Sequence, residues 1–206
     1  MKIQLQPKPR SWGFTLIEMI GVLAVIAILA ALLVPKIFEA INNARVNNAA
    51  VSYNTAKTAL ADHYAKYGTM LSSNGTPITV GAGESLNFDK VLVTEGFMDK
   101  PFIVKIGDGV TNHVEVMAAA TAATAVTAAN TAYDLDGSGT TPNDCAGSVV
   151  VQAVIYGVAA GDAKDLNDRI DGEALGATTA PDLKGRVKYA ADGSGTMTVY
   201  MYMSHR

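Results

Sequence analysis

A single cysteine, Cys145, stands among 206 residues, so no disulfide can close within the chain. Charge is also scarce: 17% of the residues are charged against 49% hydrophobic, a balance that excludes the disordered class. The three histidines, His63, His113 and His205, are far apart and none sits in a His-Glu-x-x-His pattern. "GAGESL" begins like a dinucleotide loop but places Leu86 where the last glycine is required. Ser138 and Ser194 lie in Gly-Ser-Gly turns, which lack the Gly-x-Ser-x-Gly spacing of a nucleophile elbow. No repeat of 20–50 residues is visible. Catalysis is therefore not expected.

Acid is missing altogether from the first 13 residues, which carry Lys2, Lys8 and Arg10. They lead into an apolar run, Phe14 to Val34, whose one charge is Glu18. As a helix the run would span roughly 32 Å, about the thickness of a bilayer core. The basic leader should keep the N-terminus on the cytoplasmic side. A secretory signal is cut behind its apolar region, after small residues. Here Pro35 and Lys36 follow the run, and the small residue, Gly13, stands in front of it. A cut at Gly13 would leave the apolar segment in the mature chain. Glu18 then needs a reason, because an acid at a helix centre in lipid costs about 2.5–3.5 kcal/mol and usually faces a partner.

"GFTLIEMIGVLAVIAILAALLVP", residues 13–35, resembles the class III signal of type IV pilins and of the pseudopilins of type II secretion. The resemblance implies that a prepilin peptidase cuts between Gly13 and Phe14 and methylates the Phe14 amine. It implies that Glu18 and Pro35 are the family's assembly glutamate and the proline that follows the run. A structural subunit is the implied function: a prepilin held in the inner membrane, then assembled by membrane machinery into a helical homo-oligomer on the bacterial surface. A pseudopilin, or a minor pilin acting as tip adhesin or DNA receptor, is the alternative. Many pilins close their C-terminal region with two cysteines, and this chain departs from that. Physically, cleavage would free a cationic amine on Phe14, which a neighbouring subunit could place against Glu18 in one axial register.

Behind Pro35 the pattern becomes amphipathic. Ile37, Ile41, Ala44, Val51, Ala59 and Leu60 recur near helical spacing, and Gly68 is a stop signal. The expectation is one helix from about Phe14 to Tyr67, roughly 80 Å long, kinked or locally unwound at Pro35. The chain would then divide into a leader (1–13), a transmembrane or filament-core helix (14–35) and an amphipathic helix half packed on the head (36–68). A globular head (69–206) follows. In that head, Thr69–Gly83 reads as a connecting loop and "NFDKVLVTEGFMDKPF" as a short helix ended by Gly96. "FIVKIGDGVTNHVEVM" reads as a hairpin about Gly107-Asp108-Gly109. Ala118–Ala132 is low-complexity Ala/Thr, a short helix or a loop. "SVVVQAVIY" reads as a buried strand and "GDAKDLNDRIDG" as a helix with Asp162 as N-cap and Gly172 as stop. "GRVKYAADGSGTMTVYMYM" is the clearest hairpin, with Met197, Val199, Met201 and Met203 on one face. The fold class is α+β, a long helix packed on an antiparallel sheet.

One stretch has the spacing of a metal loop. In "YDLDGSGTTPND", Asp134, Asp136 and Ser138 alternate as oxygen donors, Gly139 permits a sharp turn and the Thr140 carbonyl could join, a set suited to Ca2+. The closing glutamate of such a loop is absent; its place falls on Cys145, beside Asp144. Some pseudopilins hold calcium in a late loop of the head. An Asp/Gly turn with local hydrogen bonds explains the same residues. Cys145 itself reads as a small buried hydrophobe. Loss of Lys2, Lys8 and Arg10 takes 16 basic side chains to 13 against 19 acidic ones, a formal charge of −6. General nucleic-acid binding is therefore not expected, although Lys184, Arg186 and Lys188 form a local basic cluster, more simply a solvated strand face. Tyr53, Tyr64 and Tyr67 read as helix-to-sheet packing.

Overall fold

The computed structural model describes residues 13–79, 85–117, 125–139, 143–176 and 180–206. It divides into two compact units, one ending at Ile41 and one from Asn42 to Arg206. The first helix, α1 (Leu16–Tyr67), contributes to both. The α-helix continues through Pro35, so the expected local unwinding does not occur. Pro35 lacks an N–H for the Ala31 carbonyl, yet one missing bond among 52 residues leaves the helical path intact.

In the first unit every residue from Gly13 to Ile41 is exposed. Among the described residues α1 is the one helix long and apolar enough to cross a membrane, judged by length and composition. From Asn42 onward the character changes. Val46, Ala49, Tyr53, Ala56, Ala59, Leu60 and His63 are buried, at spacings of three and four, and form the face that packs on the sheet. This corrects the face drawn from the sequence: Ile37, Ile41, Ala44 and Val51 are exposed, and only Ala59 and Leu60 of that set lie inside. Alanines make the true contact because they let the helix backbone approach the sheet closely.

The sheet has five antiparallel strands in the order β3 (Ser85–Asn87), β4 (His113–Met117), β5 (Val150–Val158), β7 (Met197–His205) and β6 (Val187–Ala191). The α+β class is therefore as expected. Val114 and Val116, Val151, Ala153 and Ile155, Val187 and Tyr189, and Val199, Met201 and Met203 share a core with α1. Burying each valine, isoleucine or methionine of this set stabilises by about 1.5–3 kcal/mol relative to exposure. The period of two puts Gln152, Lys188 and Tyr202 on the opposite face. There Tyr133, Cys145 and Val150 form a second, smaller cluster.

Several local readings change. Residues 102–106 form no strand, so the hairpin about Gly107 is absent. Phe102, Val104 and Ile106 do alternate inward, but both edges of β4 are already taken, by β3 and β5. The Asp89 carboxylate accepts from the Phe102 N–H (3.3 Å) and the Asn112 amide donates to the Val104 carbonyl (3.4 Å) instead. Inside the expected connecting loop lies a small hairpin, β1 (Ser72–Ser73) with β2 (Thr76–Pro77). Asn74 (φ 49°) and Gly75 (φ 78°) turn it, the left-handed pair that an Asn-Gly dipeptide supplies.

Helix α2 (Phe88–Thr94) ends at Gly96 as expected. Helix α3 (Ala160–Ile170) ends before Gly172, but its N-cap is Ala159 rather than Asp162. Asp162 sits in the first turn and its carboxylate accepts from the Asn42 amide at 2.5 Å. At the other end of α3, Arg169 donates to Asn47 and, at 3.2 Å, to Asn43. The asparagines of α1 are the seat of α3. Residues 125–132 are loop rather than helix, and 118–124 lie outside the described residues.

Candidate functional site

Two places carry the residues singled out by the sequence. The first is the start of α1. Gly13 and Phe14 precede the helix and are exposed, with nothing within 4 Å of the position a Cβ on Gly13 would take. Glu18 is not idle: its Oε2 accepts from the Thr15 N–H and the Thr15 hydroxyl, both at 2.8 Å. Thr15 Oγ1 in turn accepts from the Glu18 N–H at 3.3 Å. Thr15 and Glu18 thus form a capping box that satisfies donors the helix start would leave unpaired. The Thr-x-x-Glu spacing was readable in the sequence, yet Thr15 was not among the residues singled out there.

The second place is the loop after Tyr133. The carboxylates of Asp134, Asp136 and Asp144 converge, with one oxygen from each within 4.8 Å of the others. Asp134 is placed by its backbone, whose carbonyl accepts from the Gly185 N–H at 2.7 Å in a parallel bridge to Lys184. Asp144 closes the loop: its Oδ2 accepts from the N–H groups of Leu135 (2.6 Å) and Asp136 (3.4 Å). Its own N–H donates to the Tyr133 carbonyl at 2.8 Å. Asp136 Oδ1 accepts from the Ser138 N–H at 2.9 Å. Asp134 Oδ2 accepts from the Gly139 N–H at 3.2 Å, whereas its Oδ1 is buried and has no hydrogen-bond partner among the described residues.

Asp134 is only 5% exposed, so that orphan oxygen is costly as the site stands. Burial, and after it the approach of the Asp136 carboxylate, push the Asp134 carboxyl above its usual pKa. The Ser138 N–H and hydroxyl hold Asp136 below its own. A divalent cation would supply what Oδ1 lacks and relieve the crowding of three acids; hard carboxylate oxygens fit calcium. Ser138 serves Asp136 in this arrangement, and Thr140 lies outside the described residues.

The remaining groups sort differently from the sequence reading. Lys184, Arg186 and Lys188 form no shared surface. Lys184 is exposed, Arg186 pairs with the Asp171 carboxylate (3.0 Å), and Lys188 is fully buried. The Lys188 ammonium donates to the carbonyls of Thr127 (2.9 Å), Asn130 (2.8 Å) and Ala132 (2.7 Å) and lies 3.9 Å from the Tyr133 ring centroid. Burial pulls its pKa down to about 7, against which these carbonyls and the ring favour the charged form. Cys145 is buried as expected, and burial raises its pKa to about 11, far from a reactive thiolate. Its Sγ lies 3.6 Å from His205 Nδ1, a contact between distant positions that spacing does not reveal. Tyr53 is buried and donates to the Tyr202 carbonyl, and Tyr64 packs half-buried against the core that α1 shares with the sheet, as read; Tyr67 packs instead on the rings of His63 (centroids 4.9 Å apart) and Phe97 (6.3 Å).

No family model matches the chain, and no solved structure matches it. The order of elements, a long apolar N-terminal helix followed by an antiparallel sheet, is consistent with a pilin-like fold.

Proposed function

We propose that the chain is a prepilin, the precursor of a structural subunit of a type IV pilus-like filament. One observation carries the reading. Within the single helix α1, residues up to Ile41 are exposed and mostly apolar, with Glu18, Lys36 and Glu39 their charges, while Val46, Ala49, Tyr53, Ala56, Ala59 and Leu60 enter the core of a folded head. An apolar surface of that extent calls for a nonaqueous partner: lipid in the precursor and copies of the same helix in a filament. A prepilin peptidase would cut at Gly13–Phe14 and methylate Phe14, and inner-membrane machinery would then extract the subunit. A structural role is proposed in place of a catalytic one. Mass spectrometry of surface filaments should find this chain as the main subunit, beginning at methylated Phe14. A mature start behind Val34, or an intact leader in surface material, would overturn the reading; a scarce chain in abundant filaments would favour a tip receptor.

The cluster of Asp134, Asp136 and Asp144 favours a second reading, a pseudopilin of type II secretion whose head is braced by calcium. Ligand that binds only the folded state at 100 times its Kd stabilises by about 2.7 kcal/mol. For a chain of this size that is a rise in Tm of roughly 5–10 °C. Calcium should give that rise over chelator in the wild type and none in Asp134→Asn/Asp136→Asn. Equal melting of the wild type with calcium and with chelator would remove the metal from the reading.

A further inference from the structure

We propose that Lys188 serves as a built-in cation that shapes the Asp134 loop, its ammonium gathering three carbonyls so that the loop presents its carboxylates together before any metal arrives. The inference rests on the reading of that loop as a cation site. It begins from an anomaly: a lysine in the middle of β6, fully buried, with no carboxylate partner among the described residues. Lysine is almost never buried without a pair. The alternation of the strand explains its direction, because Val187 and Tyr189 face α1 and Lys188 must face the other side.

What waits there is not an acid but a ring of backbone oxygens. An ammonium has three N–H donors, and the carbonyls of Thr127, Asn130 and Ala132 match that number, at 2.7–2.9 Å. The face of Tyr133 closes a fourth side. These carbonyls belong to loop residues with no ladder to join; Ala132 is buried, so without Lys188 its carbonyl would lack a strong donor, while the half-buried Asn130 and the exposed Thr127 would lose the group that draws them inward. Convergent carbonyls around a compact positive charge are the arrangement a protein uses for a metal ion, here supplied by a side chain.

The position of this knot links it to the carboxylates. Lys188 grips Ala132, and Gly185, three residues earlier in the same run, grips the carbonyl of Asp134. Between the two grips Tyr133 is fixed by its hydroxyl, which donates to Gln152 Oε1 at 2.6 Å. Within the loop the Asn130 carboxamide oxygen accepts from the N–H groups of Thr127 (3.2 Å) and Ala132 (3.1 Å), which ties together the residues that supply the three carbonyls. Asp134 is thus held on both sides by one segment, residues 185–188. Lys188 is a positioning residue, since it touches none of the three carboxylates. Its effect on a cation is to settle the ordering of the loop beforehand.

Amide exchange and calcium titration on the full chain in detergent micelles test this. In chelator, Lys188→Met should speed exchange of the amides of residues 125–139 at least tenfold, with β7 still protected. Calcium affinity should fall at least tenfold. Val114→Ala, which loosens the core on the other face of the sheet, should leave both unchanged. Lys188→Gln, which keeps donors but no charge, should fall between, and it replaces the methionine variant if that one does not fold. Should neither fold, the wild-type ammonium decides: its protons should be slow to exchange and visible by NMR, and a freely exchanging ammonium refutes the knot. Loop exchange in Lys188→Met equal to wild type overturns the inference. So does an undiminished calcium affinity. A wild type that binds no calcium overturns the cation reading instead, and the exchange arm still judges Lys188 alone.

Discussion

Gly107→Ala should destabilise the head severely, whereas Gly109→Ala, two residues away, should lower its stability only modestly. Both glycines have positive φ, 74° and 67°, so an alanine at either costs about 1–2 kcal/mol of backbone strain. The difference lies in what a new methyl would meet. At Gly109 the nearest atom is the Val104 carbonyl oxygen at 3.7 Å, an ordinary contact. At Gly107 the methyl would overlap the carbonyl oxygen of Tyr156, which is part of a backbone chain and cannot swing aside. That same carbonyl accepts from the Asp108 N–H at 2.9 Å, the bond that ties the 107–109 turn to β5. Forcing the two apart adds about 1–3 kcal/mol of overpacking and about 1 kcal/mol for the hydrogen bond. The total, roughly 3–6 kcal/mol, is a large share of the about 5–15 kcal/mol that holds an ordinary domain folded. Urea denaturation should find Gly109→Ala lowered by about 1–2 kcal/mol and Gly107→Ala by about 3–6 kcal/mol. Equal midpoints would mean that the turn is not held against β5.

That turn shows how the sequence could be right about local chemistry and wrong about partners. Gly107-Asp108-Gly109 does turn the chain, and the residues before it do alternate inward and outward. Alternation reports which side is buried; it is silent about which strand lies alongside. β4 chose β3 and β5, so the expected hairpin was lost while its apolar face survived. β7 was legible because its alternation and its turn agreed, and β6 is indeed its neighbour. The buried face of α1 was not, because it is built largely from Ala49, Ala56 and Ala59, and alanine is at home on either side of a helix. Val51 drew the eye as the larger apolar residue, yet it is exposed.

The sites divide in the same way. Thr15 and Glu18 are three residues apart, so their mutual capping is a local matter that spacing encodes. The loop from Asp134 to Asp144 is nearly local, and its convergence could be anticipated from alternating acids even though the closing glutamate is missing. Lys188 could not. Its carbonyl partners lie 56 to 61 positions upstream, and nothing in a Val-Lys-Tyr strand distinguishes a buried ammonium from a solvated one. The contact of Cys145 with His205 is of the same kind, made by the return of β7 beside β5.

Glu18→Ala should abolish filament assembly while leaving the precursor in the membrane. Removing the one charge between Phe14 and Val34 makes the run wholly apolar, so insertion should survive or improve. Cleavage should survive too, because the Gly13–Phe14 bond precedes the helix and no contact ties it to the Glu18 side chain among the described residues. What should fail is the step at which the cationic amine of a neighbour enters an apolar bundle. Without a carboxylate it would be buried unpaired, which costs about 3–5 kcal/mol and lowers incorporation roughly 150- to 5,000-fold. The capping box complicates that reading, since Glu18→Ala also strips Thr15 of its partner. Two further variants separate the effects. Glu18→Gln keeps an oxygen for the Thr15 N–H but carries no charge, and it should be as defective as alanine. Thr15→Val removes the cap and keeps the charge; it should cost about 1 kcal/mol of helix stability and still assemble. The measurement is the ratio of filament to membrane protein for each. If Glu18→Gln assembles and Thr15→Val does not, the carboxylate acts through its own helix, and the neighbour's amine has no part in it.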